Sequence, residues 1–214
     1  MIFDISDQDC VDYVESFTNK RKFLKDFKAQ YTFIKAYHAT KLSDQERESI
    51  KQNGLLTVSV ALLKQKAINR FVKTSDSEPL QVAMCEEVNT FLNNDPLITI
   101  GEINLGLEMV NLVHDYYHYL LFGSESLLPL ADRLKNKFGL PMRSRMIEFG
   151  SSYLITANVP IRYTNRMWIL CIYQYINEGF PECSLVYHNH LPPENIIEIK
   201  QLPRPIDTNG FEFM

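Results

Sequence analysis

The chain has 214 residues, of which 45% are hydrophobic and 12% aromatic, and its formal net charge is -4. This length and composition are typical of one globular domain with a sizeable core, and no internal repeat or low-complexity tract interrupts it. The acidic balance excludes an overall attraction to nucleic acid or to anionic membranes, so that only local basic patches could bind them.

The cysteines and the N-terminus indicate a cellular compartment. The 4 cysteines are scattered without C-x-x-C spacing, as expected for buried thiols of an intracellular protein. The acidic N-terminus lacks the cationic and apolar regions of a signal peptide, and no apolar run approaches the length of a transmembrane helix. We therefore expect a cytoplasmic protein that does not associate with membranes.

Apolar spacing, caps and β-branched runs predict the elements in chain order. Predicted helices cover 7–28, 43–53, 58–71, 78–92 and 129–138, and predicted strands cover 31–38, 97–100, 103–107, 152–161, 167–175, 184–190 and 196–199. Ser43 and Glu46 form a capping box, and Gly54 and Gly139 are helix stops. The segment 116–122 fits either a helix or a strand, and the tail from Pro203 is expected to be irregular.

The order of these elements predicts the fold class. Helices lead, strands dominate the C-terminal half, and alternating βαβ units are absent, which argues against a doubly wound nucleotide-binding fold. We therefore expect a single α+β domain over residues 1–214, with N-terminal helices packed on a mixed or antiparallel β-sheet core and residues 1–30 as a helical extension.

One histidine stands where the first predicted strand ends. The chain contains no GxGxxG, GxxxxGK[ST] or GxSxG motif, so its chemistry must come from histidines, hydroxyls and carboxylates. His38 follows Tyr37 and precedes two small residues, so a planar ligand could lie beside its ring while a ring nitrogen donates to a ribose hydroxyl. The alternative is a structural histidine bonded to a neighbouring carbonyl, and this residue alone favours that alternative.

The surrounding residues resemble a known pattern. The run Tyr37-His-Ala-Thr40, a short capped helix with Ile50, and then Gly54-Leu55 resemble the opening of ADP-ribosyltransferases of the histidine-tyrosine-glutamate type. In that family a strand ends in H-[AG]-T and is followed by I-x-x-x-G-L, and the histidine holds NAD by its adenine-side ribose. The resemblance implies that His38 and Thr40 bind NAD.

Two later segments agree with the resemblance. In the family, a middle motif supplies an aromatic that stacks on nicotinamide or a serine that contacts the nicotinamide ribose. Tyr119 and Ser124 fit these roles, with Tyr116 and Tyr117 as alternatives for the aromatic. The alternative is an aromatic core cluster. A late glutamate polarises the nicotinamide ribose, and Glu182, followed by the turn Pro192-Pro193-Glu194, stands in that position. The alternative for Glu182 is a solvated loop carboxylate.

The resemblance implies an ADP-ribosyltransferase fold and a mono-ADP-ribosyltransferase activity. The enzyme would transfer ADP-ribose from NAD, as co-substrate, to a macromolecular acceptor, which is nucleic acid or protein. Such chemistry needs no metal and no covalent nucleophile, because nicotinamide is already a good leaving group. The family further implies a toxin or antiviral-defence effector, with an antitoxin protein as a partner.

The other histidines suggest a rival function. His114 and His118 stand at i and i+4, and His188 and His190 would share one face of a strand. With Asp115 or Glu194 they could bind a divalent cation that activates water, as in a metal-dependent hydrolase. No HExxH glutamate is present. A third interpretation is a non-catalytic binding module.

Basic residues form one run and one smaller pair. The run Lys20–Lys28 has aromatic residues between its cations, and Arg143 and Arg145 form the pair. Such a run is commonly the solvated face of an amphipathic helix. The alternative is a strip that binds the phosphates of a nucleic-acid substrate.

Overall fold

The computed structural model describes residues 1–94 and 100–203. The described strands are β1 (Ile2–Phe3), β2 (Phe33–Leu42), β3 (Ile103–Gly106), β4 (Ser151–Pro160), β5 (Ser184–Tyr187) and β6 (Ile196–Leu202). The described helices are α1 (Gln8–Glu15), α2 (Lys20–Gln30), α3 (Asp44–Asn53), α4 (Val60–Phe71), α5 (Glu78–Asn94), α6 (Met109–His114), α7 (His118–Phe122), α8 (Leu128–Phe138), α9 (Met142–Glu148) and α10 (Arg166–Glu178). Apart from Ile100 and Pro203, the predicted strand over 97–100 and the predicted irregular tail lie outside the described residues.

The sheet is mostly antiparallel, which confirms the α+β class. Its strand order is β5-β3-β2-β4-β6, and β1 pairs with β2 in parallel. Strand β2 is the centre and pairs with β4 along its whole length, from Phe33 opposite Pro160 to Leu42 opposite Ser151. This strand continues beyond the predicted end at His38, so that residue lies inside a long central strand.

The N-terminal helices belong to the main core of this single domain. Phe23 and Phe27 of α2 are fully buried and pack in one cluster with Phe3 and the sheet residue Ile34. The prediction of one helix over 7–28 is wrong, because the chain breaks between α1 and α2. The side chain of Asn19 accepts from the backbone N–H groups of Arg21 and Lys22, so this polar residue starts a second helix.

The strand predicted over 167–175 is wrong, because these residues belong to α10. Its aromatic and β-branched residues favour a strand by propensity, but its two ends carry helix signals. The side chain of Asn165 accepts from the backbone N–H of Met167, and Gly179 ends the helix in the left-handed conformation. Ile169, Ile172 and Tyr173 then form the buried stripe at helical spacing.

Other sequence predictions agree with the structure more closely. The capping box of Ser43 and Glu46 is present with both hydrogen bonds, and Gly139 ends α8 in the left-handed conformation. The ambiguous segment 116–122 becomes helical from His118. The predicted strand over 184–190 ends earlier, at Tyr187.

A second core forms among helices away from the sheet, and the space between the two cores positions the site. Leu63, Ala67 and Phe71 of α4 pack with residues of α5, α8 and α9. This helical layer leaves a cavity where it meets β2 and β3. Across residues 1–94 and 100–203, no helix is long and apolar enough to cross a membrane.

Candidate functional site

A cavity of about 450 Å³ opens between β2, β3, α4 and the segment around α7. All five residues selected from the sequence line it: His38, Thr40, Tyr119, Ser124 and Glu182. These residues come from three distant segments of the chain. The fold therefore brings the three motifs to a single concave surface whose volume suits a small-molecule ligand.

Strands β2 and β3 separate at the floor of this cavity. Their register includes only the pair Tyr37 and Gly106, so the ladder does not extend to His38. The His38 ring bridges the gap instead, with Nδ1 at 2.8 Å from the carbonyl oxygen of Asn104. Because a carbonyl only accepts, Nδ1 must carry a proton here, so a neutral ring has its single proton on Nδ1.

The environment of His38 keeps the ring neutral. Burial in the cavity lowers its pKa to about 4, with a further lowering from the charge of Lys66, while the hydrogen bond to Asn104 opposes the shift. A neutral ring protonated on Nδ1 offers Nε2 as a hydrogen-bond acceptor. A ligand hydroxyl that reached Nε2 would therefore donate to it, whereas the sequence led us to expect a ring nitrogen that donates.

Thr40 acts on the neighbouring loop. Its hydroxyl is buried and donates to the carbonyl oxygen of Gly123 at 3.3 Å. This bond fixes the backbone just before Ser124, whose half-buried hydroxyl makes no hydrogen bond within the described part of the chain. Thr40 therefore positions Ser124, and the Ser124 hydroxyl is available to a ligand.

The Tyr119 side chain belongs to a polar cluster with Glu125. Its hydroxyl donates to Oε2 of Glu125 at 3.0 Å, and Nε2 of His118 lies 2.6 Å from Oε1 of the same carboxylate. Burial first, and then the charge of Glu125, raise the pKa of Tyr119. The Tyr119 and His118 rings lie 4.3 Å apart between centroids, so an aromatic surface stands at the cavity wall.

Glu182 precedes β5 and is exposed at the edge of the cavity. The Tyr116 hydroxyl donates a hydrogen bond to its Oε2 atom. A phenol that donates to a carboxylate orients it and leaves its second oxygen available. The sequence pointed to Glu182, and to Tyr116 only as an alternative stacking aromatic, so the contact between the two was not predicted.

The first and third motifs touch each other directly. The backbones of Leu55 and Leu191 exchange two hydrogen bonds of 2.8 Å each. This close pairing depends on Gly54, where an added Cβ would stand 1.9 Å from the carbonyl oxygen of Leu191. The glycine after α3 and the turn before β6 therefore form one unit beside the cavity.

The four histidines of the rival function do not form the predicted pairs. His114 ends α6 and His118 begins α7, so they do not share one helix face. His188 and His190 lie beyond the end of β5, where Nδ1 of His190 accepts from the Thr57 amide at 3.0 Å. Within the part of the chain that the structure covers, no three His, Cys, Asp or Glu side chains form a group that could hold a metal ion.

The smaller basic pair does not form a free cationic surface. Arg145 is buried and makes a two-point ion pair with Asp76, at 2.6 and 2.7 Å. Arg143 likewise pairs with Asp132, at 2.8 and 2.6 Å. On α2, Lys20 pairs with Glu178 at 2.6 Å, whereas Arg21, Lys22 and Lys25 are exposed.

Helix α4 supplies a cavity wall that sequence reasoning missed. Leu62, Gln65, Lys66 and Asn69 line the cavity at spacings of three and four, which is one face of a helix. The opposite face holds the second core. The signal in the sequence was this polar stripe beside an apolar one, but only the fold shows that it faces His38.

In this cavity, His38 can accept a hydrogen bond from a ligand hydroxyl, Tyr119 presents an aromatic surface, and Glu182 places a carboxylate at the mouth. No protein-family model matches the chain, and no curated protein or solved structure matches it.

Proposed function

We propose that this protein is a mono-ADP-ribosyltransferase that uses NAD as its substrate. The observation that carries the proposal is the convergence of His38, Tyr119, Ser124 and Glu182 on one cavity of about 450 Å³. These residues belong to three sequence motifs that resemble those of that enzyme family. The sheet, with its long central β2, would be of the ADP-ribosyltransferase type.

The reaction exchanges one bond at the ribose carbon. The bond to the nicotinamide nitrogen breaks, and neutral nicotinamide leaves with the electron pair. An oxygen or nitrogen of the acceptor forms the new bond and releases its proton. The transition state resembles an oxocarbenium ion, so a nearby carboxylate stabilises it more than it stabilises the ground state.

The residues of this chain fit that chemistry. His38 accepts from a hydroxyl of the adenine-side ribose, and Tyr119 packs on the nicotinamide ring. Ser124 contacts the second ribose. Glu182, oriented by Tyr116, provides the negative charge, and its exposed position at the cavity edge leaves room for a large acceptor.

The acceptor is a macromolecule, either nucleic acid or protein. The exposed cations Arg21, Lys22 and Lys25 of α2 form a surface suited to a polyanionic acceptor. A role as a toxin or antiviral-defence effector in the cytoplasm, neutralised by an antitoxin protein, follows from the family resemblance.

The direct experiment incubates the purified chain with NAD labelled in its adenosine part and a cell lysate, in excess chelator. We expect label in either the protein fraction or the nucleic-acid fraction, together with free nicotinamide. Activity that disappears in chelator would instead favour the metal-dependent hydrolase built on the histidines. Binding of NAD without any release of nicotinamide would favour a non-catalytic binding module.

A further inference from the structure

Lys66 has an unusual position for a lysine. It lies on the face of α4 that lines the cavity, and it is the one lysine or arginine among the cavity-lining side chains of the described residues. Its ammonium group makes no hydrogen bond or ion pair within residues 1–94 and 100–203. A partly desolvated cation without a counter-ion is unfavourable, and an anionic ligand would remove that penalty.

The nearest carboxylate is already engaged. Glu46 accepts from Arg70 at 3.1 Å and from the backbone N–H of Ser43 at 2.9 Å. Burial first, and then the like charge of Arg70, lower the pKa of Lys66, while Glu46 opposes the shift. The protein therefore leaves Lys66 without its own anionic partner.

The carboxylates of the cavity stand in contrast to Lys66. Each carboxylate that lines the cavity contacts a polar side chain. Glu46 contacts Arg70, Glu102 contacts His188, Glu108 contacts Tyr175 and Asn111, Glu125 contacts His118 and Tyr119, and Glu182 contacts Tyr116. The cavity wall is thus acidic around α6, α7 and Glu182, and cationic at α4. This division suits a ligand that carries a positive ring and a separate negative group.

From this geometry we infer that Lys66, with Gln65 and Asn69 on the same helix face, forms a subsite for the diphosphate group of a dinucleotide. The assignment rests on the proposed function, because it takes the dinucleotide to be NAD. Lys66 is close enough to His38 for its charge to act on the imidazole. A diphosphate is attached directly to ribose, so a cation beside the ribose-binding histidine is in the correct place.

The test compares three probes on the full chain. Inorganic pyrophosphate carries only the anion, nicotinamide riboside carries only the positive ring and its ribose, and ADP-ribose carries the diphosphate without nicotinamide. The variant is Lys66→Gln, which removes the charge and keeps a polar side chain. The matched control is Lys64→Gln, which removes an exposed charge two residues away on the same helix.

We expect Lys66→Gln to raise the dissociation constants of ADP-ribose and pyrophosphate by about 10- to 100-fold, because a charged hydrogen-bond donor is lost. The dissociation constant of nicotinamide riboside should change by less than about threefold, and Lys64→Gln should bind all three probes normally. A thermal melt no lower than that of the unaltered chain shows that Lys66→Gln is folded.

The outcomes separate this inference from the proposed function. Equal binding of ADP-ribose by Lys66→Gln and the unaltered chain overturns the diphosphate subsite, and so does a failure of the unaltered chain to bind either phosphate probe. Lys66-dependent binding of ADP-ribose without any cleavage of NAD keeps the subsite and overturns the transferase.

Discussion

The contact between the first and third motifs predicts a large cost for Gly54→Ala. The backbone at Gly54 has φ of 74° and ψ of -164°, a region that is essentially restricted to glycine. The added methyl group would also stand 1.9 Å from the carbonyl oxygen of Leu191, which must then withdraw. That withdrawal breaks the two hydrogen bonds between Leu55 and Leu191.

The magnitude follows from these two terms. The backbone strain costs about 1–3 kcal/mol, and two lost hydrogen bonds cost about 1–3 kcal/mol together. We expect Gly54→Ala to lower the free energy of unfolding by about 4 kcal/mol, within a total stability of about 5–15 kcal/mol. Gly139→Ala is the matched control, because Gly139 has φ of 71° but no atom within 4 Å of an added Cβ. Its cost is about 1–2 kcal/mol.

Urea unfolding followed by the fluorescence of Trp168, the single tryptophan, measures both variants. The difference between them combines the close approach of Gly54 to Leu191 with the more restricted backbone of Gly54, whose ψ is -164° against 13° for Gly139. If Gly54→Ala loses no more unfolding free energy than Gly139→Ala, the two motifs do not depend on this contact.

Two further predictions concern charge. The folded-state pKa of His38, about 4, lies below its ordinary value of 6.5, so the unfolded chain takes up the proton first as the pH falls. The stability that the neutral His38 ring contributes is therefore present above pH 6.5 and lost as the pH falls towards 4. Between these pH values, His38→Gln should lose less unfolding free energy than the unaltered chain. An identical loss in both proteins would contradict the buried neutral ring. For a nucleic-acid acceptor, neutralising Arg21, Lys22 and Lys25 together should weaken acceptor binding and flatten its salt dependence, while NAD hydrolysis without acceptor is unchanged. Unaltered binding and salt slope would make this run a solvated helix face.

The fold was predictable where a local signal decided the structure. The capping box of Ser43 and Glu46 and the β-branched run of β2 are such signals: the capping box forms as expected, and the strand forms but continues to Leu42, beyond its predicted end at His38. The helix α10 was not predicted, because its side-chain propensity favours a strand although Asn165 and Gly179 cap it as a helix. Burial of a helical stripe against the sheet overrides that propensity.

The candidate site was predictable only in part. The order of the three motifs along the sequence predicted a shared site made of His38, Tyr119, Ser124 and Glu182. These residues do line one cavity. Lys66 was missed, because a lysine in a helix is an ordinary surface residue in sequence. Its position opposite His38 results from the packing of α4 on α5 and α9, which depends on contacts distant in the chain.

The release of nicotinamide from NAD by Glu182→Gln tests the central claim most directly. This variant keeps the size and most hydrogen bonding of the side chain but removes the charge at the cavity mouth. We predict that turnover at saturating NAD falls by about 100- to 1000-fold, while the dissociation constant of NAD changes little. Glu198→Gln, an exposed carboxylate on β6, is the matched control and should retain full turnover. Full turnover by Glu182→Gln would contradict the assignment of Glu182 as the catalytic carboxylate of a transferase.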